Sequence, residues 1–224
     1  MALEGQVSVA AYYIAAGAFF DLLDGMVARM LGVSNPMGKQ LDSLADMVTF
    51  GVAPALIARE LIIMGVYLDT GDIAMTGWER VLPFLPMFLV ACSALRLAKF
   101  NVDDSQTVDF KGMPTPANAL FWLAIPLSIE VGIKSVGAVR FLQDPLVLGL
   151  LCIAMGLLLV SRIPLFSLKL EGSDKSRQKW QIILAVAAII LFVLFKFAAL
   201  PMVIVLYLLL SLIRNSTTRH EIQS

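Results

Sequence analysis

Long apolar runs follow one another along this 224-residue chain and constrain its fold more than any other feature. Runs of about 20 apolar residues suit a membrane-spanning helix, and they lie at about 7–30, 36–64, 80–100, 115–134, 143–161, 178–198 and 200–214. Hydrophobic residues make up 59% of the chain, against about 45–50% in an average soluble domain. The sequence therefore predicts an all-α integral membrane protein, a bundle of about seven transmembrane helices forming one domain over residues 1–224.

The distribution of basic residues predicts how these helices are oriented. Lysine and arginine are concentrated in the loops after the first, third and fifth apolar runs and in the C-terminal tail, and such loops usually lie in the cytoplasm. The loop after the fourth run, with Lys134 and Arg140, runs against this pattern. This orientation leaves the N-terminus outside, so we expect one further helix to precede Met1.

Several residue types argue against other functions. The formal net charge is zero, so no nucleic-acid partner is indicated. Cys92 and Cys152 lie inside apolar runs and are interpreted as packed thiols rather than as a metal or disulfide framework. The single histidine, His220, belongs to a polar tail and indicates no catalytic role.

Two pairs of aspartates interrupt or border the first two apolar runs. Because each helical residue turns by about 100°, Asp21 and Asp24 share a face with Gly25, Ala28 and Arg29. Ionisable groups within apolar segments are costly and usually mark a site.

The second pair repeats this arrangement on the next helix. Gly38, Asp42 and Asp46 are spaced i, i+4 and i+8, which places them on one face. Asn35 and Pro36 are a favourable N-cap and first helical residue. The two helices are therefore predicted to be antiparallel neighbours whose aspartate faces meet.

Four facing carboxylates suggest a divalent metal site, because hard oxygen ligands suit Mg²⁺, Mn²⁺ or Ca²⁺. A two-metal site of this kind serves phosphoryl transfer. Gly25, Ala28 and Gly38 leave room for a nucleotide beside the backbone, and Arg29 is suited to hold a phosphate. A polar transport pathway, carboxylates neutralised by protons, and structural ion pairing remain alternatives at this point.

The spacing of these residues carries a family resemblance. Asp21-x-x-Asp24-Gly25-x-x-Ala28-Arg29, eight residues, then Gly38-x-x-x-Asp42-x-x-x-Asp46 resembles the complete motif of the CDP-alcohol phosphotransferases. The segments SLADMVTFGVAPA, SALRLAKFN, KGMPTPANA and SRIPLFSLK resemble the bacterial and archaeal branch of that family whose acceptor is L-serine. Members of this branch begin with an extra helix that helps to enclose the nucleotide.

The resemblance implies transfer of the phosphatidyl group from CDP-diacylglycerol to L-serine with release of CMP. It implies a homodimer in a bacterial or archaeal cytoplasmic membrane, with the active site on the cytoplasmic side and helices at about 143–214 added to the motif core at 21–46. Other acceptors, such as glycerol phosphate, inositol phosphate or choline, are the nearest alternatives. A divalent-cation or proton transporter and an inactive membrane scaffold are the more distant ones.

The resemblance also implies roles for individual residues. Two ions, Mg²⁺ or Mn²⁺, are expected, the first held by Asp21, Asp24 and Asp42 and the second by Asp21, Asp42 and Asp46. Asp46 is expected to be the general base on the serine hydroxyl. The nucleotide-binding residues are expected to be Gly25, Ala28, Arg29 and Gly38.

Three further basic residues are predicted at the same membrane face, Arg96, Lys99 and Arg162. They are candidates for binding the lipid phosphate or the serine carboxylate. Their alternative role is that of ordinary positive charges flanking membrane helices.

Overall fold

The fold is a bundle of helices, seen in a computed structural model that describes residues 6–32, 35–71, 77–102, 110–130, 136–165 and 175–223. The α-helices are α1 (Val7–Met30), α2 (Pro36–Asp46), α3 (Ala53–Thr70), α4 (Pro86–Val102), α5 (Thr115–Glu130), α6 (Val136–Gln143), α7 (Pro145–Val160), α8 (Lys175–Phe195) and α9 (Ala199–Gln223). A π-helix, Met47–Val52, joins α2 to α3, and 3₁₀ turns occupy Gly77–Arg80, Leu82–Phe84 and Lys196–Ala198. The described residues form only two short strands, β1 (Phe110–Lys111) and β2 (Pro164–Leu165).

Several of these helices are suited to a membrane by length and composition. Within the described ranges, four helical segments qualify as candidate spans: Val7–Ala28, Met37–Thr70, Gly77–Val102 and Gln178–Arg214. Pro145–Val160 is a shorter apolar helix. These helices confirm the predicted class, an all-α integral membrane protein.

The seven predicted apolar runs are found as helices, but several of these helices are shorter or longer than one membrane crossing. The α5 and α7 helices each have 16 residues, about 24 Å at 1.5 Å per residue, which is shorter than a bilayer core of about 30 Å. Gln178–Arg214 has 37 residues, too many for one crossing. The turn at Lys196–Ala198 divides it, and α8 and α9 pack against each other.

Helix ends follow local capping chemistry. Met37 N donates to Asn35 Oδ1 at 3.0 Å, so Asn35 caps α2 and Pro36 occupies its first turn, as predicted. Leu146 N and Val147 N donate to Asp144 Oδ1 at 2.9 and 3.2 Å, and this cap, absent from the sequence prediction, starts α7.

Helix α5 lies at the centre of the bundle. All its residues from 121 to 128 are buried, including the fully enclosed Trp122, and the helix packs against α1, α3 and α9. On another side, α4 packs closely on α7, where Gly156 faces α4 side chains. A Cβ added at Gly156 would lie 2.7 Å from the Phe88 ring.

A short antiparallel ladder ties the segment before α5 to the end of α7. Phe110 pairs with Leu165, and Lys111 pairs with Pro164. Gly112 N then donates to Ile163 O at 2.9 Å, and Met113 N to Leu158 O at 3.1 Å. This ladder was not predicted from the sequence.

Candidate functional site

The aspartate pairs of α1 and α2 meet, as the helical spacing predicted. One carboxylate oxygen from each of Asp21, Asp24 and Asp42 can be chosen so that all three lie within 4.8 Å of one another. Asp21 is partly buried, whereas Asp24 and Asp42 are exposed. Three like charges this close repel each other, so the cluster favours a counter-charge.

Asp46 extends this cluster towards the interior. Its carboxylate is partly buried and lies within electrostatic range of Asp21, Asp42 and Asp24. Its Oδ1 is buried and accepts no hydrogen bond from any residue that the structure describes. Leaving a buried carboxylate oxygen unsatisfied is costly, and a bound cation would offset that cost.

The spacing of the carboxylates fits a divalent cation. Oxygens bound to one Mg²⁺ at about 2.0–2.1 Å lie at most about 4.2 Å apart, and those around Ca²⁺ lie up to about 5 Å apart. The three carboxylate oxygens lie within 4.8 Å of one another. Only small side-chain movements are therefore needed for all three to contact one ion. The cluster Asp21, Asp24 and Asp42 can bind a divalent metal.

Open space lies beside the carboxylates. A Cβ added at Gly25 would have no neighbouring atom within 4 Å, and one added at Gly38 would meet only Asn35 Cβ at 3.9 Å. Ala28 is exposed on the same helix as Gly25. The backbone of Arg29 belongs to α1, but its side chain lies outside the described part of the structure.

The π-helix Met47–Val52 begins directly after Asp46 and was missed by the sequence analysis. It packs against α1, α3, α4 and α5, and Gly51 allows α4 to approach, since a Cβ there would lie 3.1 Å from Ser93 Cβ. Single π turns are frequent at functional sites. Here the π turn connects the aspartate helix to the centre of the bundle.

A cavity of about 250 Å³ opens next to Asp46. Its walls comprise Asp46, Arg96, Leu97, Phe100, Pro114, Thr115 and Pro116. Arg96 is only 5% exposed; its Nε donates to Met113 O at 3.3 Å, and its guanidinium carbon lies 5.9 Å from the Phe100 ring centroid. The cavity therefore places an acid and a buried arginine in the same small space.

The other two predicted basic residues lie elsewhere. Lys99, one turn further along α4, and Arg162, just after α7, are both exposed and do not line this cavity. Asn101 Nδ2 donates to Ser43 Oγ at 2.8 Å and links α4 to α2, a contact that was not predicted from the sequence. Its position in the segment SALRLAKFN was visible in the sequence, but its partner was not.

The fold and the site together define a class: an integral membrane protein with an acidic cluster, of a geometry suited to a divalent cation, at the junction of two helices. The model of the CDP-alcohol phosphatidyltransferase family matches residues 1–143. The chain therefore belongs to the CDP-alcohol phosphatidyltransferase family.

Several curated relatives share one name. The CDP-diacylglycerol–serine O-phosphatidyltransferase of Mycobacterium leprae is 37% identical over 175 residues, which cover 73% of this chain and 51% of that protein. The protein of that name in Bacillus subtilis is 36% identical over 118 residues, which cover 51% of this chain and 58% of that protein. The Saccharomyces cerevisiae protein of that name is 38% identical over 136 residues, which cover 57% of this chain and 44% of that protein. The chain spans about half the length of the curated relatives that it matches.

Proposed function

We propose that this protein transfers the phosphatidyl group of CDP-diacylglycerol to the hydroxyl group of L-serine, giving phosphatidylserine and CMP. The observation that carries the proposal is the meeting of the carboxylates of Asp21, Asp24 and Asp42, with Asp46 beside them, in a chain of this family. The names of the relatives supply the acceptor, L-serine.

The carboxylates would hold two divalent ions, Mg²⁺ or Mn²⁺, the first on Asp21, Asp24 and Asp42 and the second on Asp21, Asp42 and Asp46. Bound there, such ions would neutralise the diphosphate and stabilise the charge that develops as the phosphoanhydride bond breaks. The spacing of the first three carboxylates supports this assignment. The buried Oδ1 of Asp46, which has no hydrogen-bond partner among the described residues, supports its share in the second ion.

Asp46 is the general base. It borders both the carboxylate cluster and the cavity, so an acceptor in the cavity has its hydroxyl near a carboxylate oxygen. Asp46 takes the hydroxyl proton as the acceptor oxygen attacks the phosphatidyl phosphorus. The bond from that phosphorus to the bridging oxygen breaks, and CMP leaves with the electron pair.

The nucleotide lies over the small residues of the motif. Gly25, Ala28 and Gly38 leave open space beside the carboxylates, so the cytidine diphosphate approaches the backbone closely. Arg29 binds one of its phosphates. Lys99 and Arg162, both exposed, contact lipid phosphates at the membrane surface.

The site faces the cytoplasm of a bacterium or archaeon, and the protein is a homodimer. The basic residues near the site support the orientation, because Lys39 in α2, Lys99 in α4 and Arg162 after α7 all belong to segments flanking it. The family resemblance supports the dimer.

Release of CMP by the detergent-purified protein tests the proposal, with CDP-diacylglycerol and Mn²⁺ or Mg²⁺, in the presence and absence of L-serine. Serine-dependent release is expected, and Asp46→Asn is expected to lower it by about 10²–10⁴-fold. Asp69→Asn is the matched control, because Asp69 is an exposed aspartate near the other end of the same candidate span, Met37–Thr70.

CMP release with glycerol phosphate or inositol phosphate, but not with L-serine, would support the family reaction and overturn the assignment of L-serine as the acceptor. If Mn²⁺ passes into sealed vesicles and no CMP is released in the presence of any acceptor, the protein is a transporter rather than an enzyme.

A further inference from the structure

We propose that the π turn Met47–Val52 is a rotation element, which turns the helix face with Asp42 and Asp46 towards the interior of the bundle. The inference rests on the proposed function and deepens it, because it names the backbone feature that positions two of the four carboxylates. The π turn follows Asp46 directly and ends where α3 begins.

The π turn contains one residue more than a turn of α-helix. Ala53 N donates to Val48 O, a bond between residues five apart, whereas an α-helix joins residues four apart. The helices before and after such a turn are therefore offset by one residue, which corresponds to a rotation of about 100°. Pro54 lies in the first turn of α3, where a proline is tolerated. Inside a continuous α-helix its ring would clash with the preceding turn.

The effect of this offset can be seen by comparison with the buried face of α3, which is defined by its buried residues. At about 100° per residue, a continuous α-helix would place Asp42 about 150° and Asp46 about 110° from the centre of that face. With the extra residue, these angles become about 50° and about 10°. Leu44 moves the opposite way, from about 50° to about 150°.

The observed exposure agrees with the rotated arrangement. Leu44 is 64% exposed, whereas Asp46 is partly buried and its Oδ1 is fully enclosed. A helix that only buried apolar surface would place the leucine inside and the carboxylate outside. The π turn reverses this preference and brings Asp42 and Asp46 to the side on which Asp21 lies.

The turn itself, rather than the packing of α2, sets this rotation. Of the elements that the structure describes, α2 packs chiefly against the π turn. The turn is held from two sides. A Cβ added at Gly51 would lie 3.1 Å from Ser93 Cβ in α4. A Cβ added at Gly17 in α1 would lie 3.4 Å from Thr49 Cγ2. These close approaches fix the turn, so the rotation of α2 follows from the backbone of the turn.

One inserted and one deleted residue test the rotation. Alanine inserted between Val48 and Thr49 adds about 100°, and the affinity for Mn²⁺, measured by calorimetric titration, is expected to fall at least tenfold. Deletion of Val48, which is 60% exposed, is combined with Pro54→Ala and is expected to give a regular α-helix with the rotation unchanged. Its Mn²⁺ affinity is expected to stay within threefold of wild type and of Pro54→Ala alone.

Thiol labelling measures the rotation without any metal. Leu44→Cys is expected to react with a maleimide in wild type and in the deletion variant, and at least tenfold more slowly in the insertion variant, where it turns inwards. Leu41→Cys is the matched control. Leu41 is 56% exposed and stays on the outer side in both arrangements, at about 150° and about 110°, so equal labelling is expected in all three proteins. The native Cys92 and Cys152 are both buried.

The outcomes separate the rotation from the reaction. Equal loss of Mn²⁺ binding in the deletion and insertion variants, or equal labelling of Leu44→Cys in both, would overturn the inference. If the deletion variant does not fold, the labelling of the insertion variant decides alone. The expected labelling pattern in a protein whose wild type releases no CMP would keep the rotation and reject the proposed transfer. Serine-dependent CMP release at the wild-type rate by the insertion variant would keep the reaction and remove the inference.

Discussion

Asn101 Nδ2 donates a hydrogen bond of 2.8 Å to Ser43 Oγ, which joins the end of α4 to the aspartate helix α2. Ser43 directly follows Asp42 in the chain and its Oγ also donates to Lys39 O at 3.0 Å. Since α4 also carries Arg96, this bond connects the helix with the buried arginine to the helix with the carboxylates.

A double-mutant cycle measures that connection. Asn101→Ala and Ser43→Ala are each expected to destabilise the protein, with a coupling energy of about 0.5–1.5 kcal/mol between them, as for a typical hydrogen bond. The readout is unfolding in detergent micelles. Asn101→Ala combined with Ser211→Ala is the control, because Ser211 Oγ bonds to Tyr207 O within α9, and this pair should be additive. Additivity in the first pair as well would show that the Asn101–Ser43 bond does not stabilise the protein.

Alanine at Gly25 or Gly38 is expected to separate folding from substrate binding. Neither added Cβ meets an atom closer than 3.9 Å, and replacing helical glycine by alanine stabilises a helix by about 0.5–1 kcal/mol. We therefore expect an unchanged or higher melting temperature together with a raised KM for CDP-diacylglycerol. Thermal unfolding and kinetics on the same preparations check this. Full activity in both variants would remove these glycines from the nucleotide site.

Removal of one carboxylate is expected to weaken metal binding. Asp24 is exposed and shares the cluster with Asp21 and Asp42, so Asp24→Asn removes a ligand charge with little effect on packing. Calorimetric titration with Mn²⁺ is expected to show at least tenfold weaker binding than in wild type. Asp69→Asn serves again as the exposed control, and equal affinities in all three proteins would place the metal elsewhere.

Gly112 is expected to be required for the position of Arg96. Its φ is +81°, and an added Cβ would lie 2.5 Å from Ser161 O, so Gly112→Ala must shift the segment whose Met113 carbonyl holds Arg96. We expect a loss of about 1–3 kcal/mol in stability and a raised KM for L-serine.

Gly71→Ala provides the matched control for that variant. Gly71 has a similar φ of +71°, but no atom lies within 4 Å of its added Cβ, so only backbone strain is introduced. Its stability is expected to fall less, and its KM for L-serine is expected to stay at the wild-type value. A serine KM unchanged in Gly112→Ala would show that Arg96 does not depend on this loop.

Local sequence patterns predicted the parts of the fold that depend on neighbours in the chain. The bounds of α1 were predicted as 7–30 and found as Val7–Met30. The cap at Asn35 followed from side-chain chemistry within two residues. Helix α6, predicted only as part of a loop and the start of the next run, was missed because eight residues give too little periodicity to recognise.

Features that depend on distant contacts were not predicted. The π-helix at Met47–Val52 follows from packing against four helices, and the β1–β2 ladder pairs residues more than 50 positions apart. The cavity was also missed, because its walls come from three separate segments that include Asp46, Arg96 and Thr115. No local sequence pattern predicts contacts between segments that are this far apart in the chain.

The sequence by itself determined the membrane class, the aspartate faces of the first two helices and the family, because hydrophobicity, helical period and residue spacing are properties of contiguous chain. Only the tertiary structure decided that Arg96, and not Lys99 or Arg162, shares a cavity with Asp46. The physical reason is that all three are basic residues near helix ends. The burial of Arg96 depends on how α4 packs against the π-helix and the segment before α5, and that packing is set by the whole bundle.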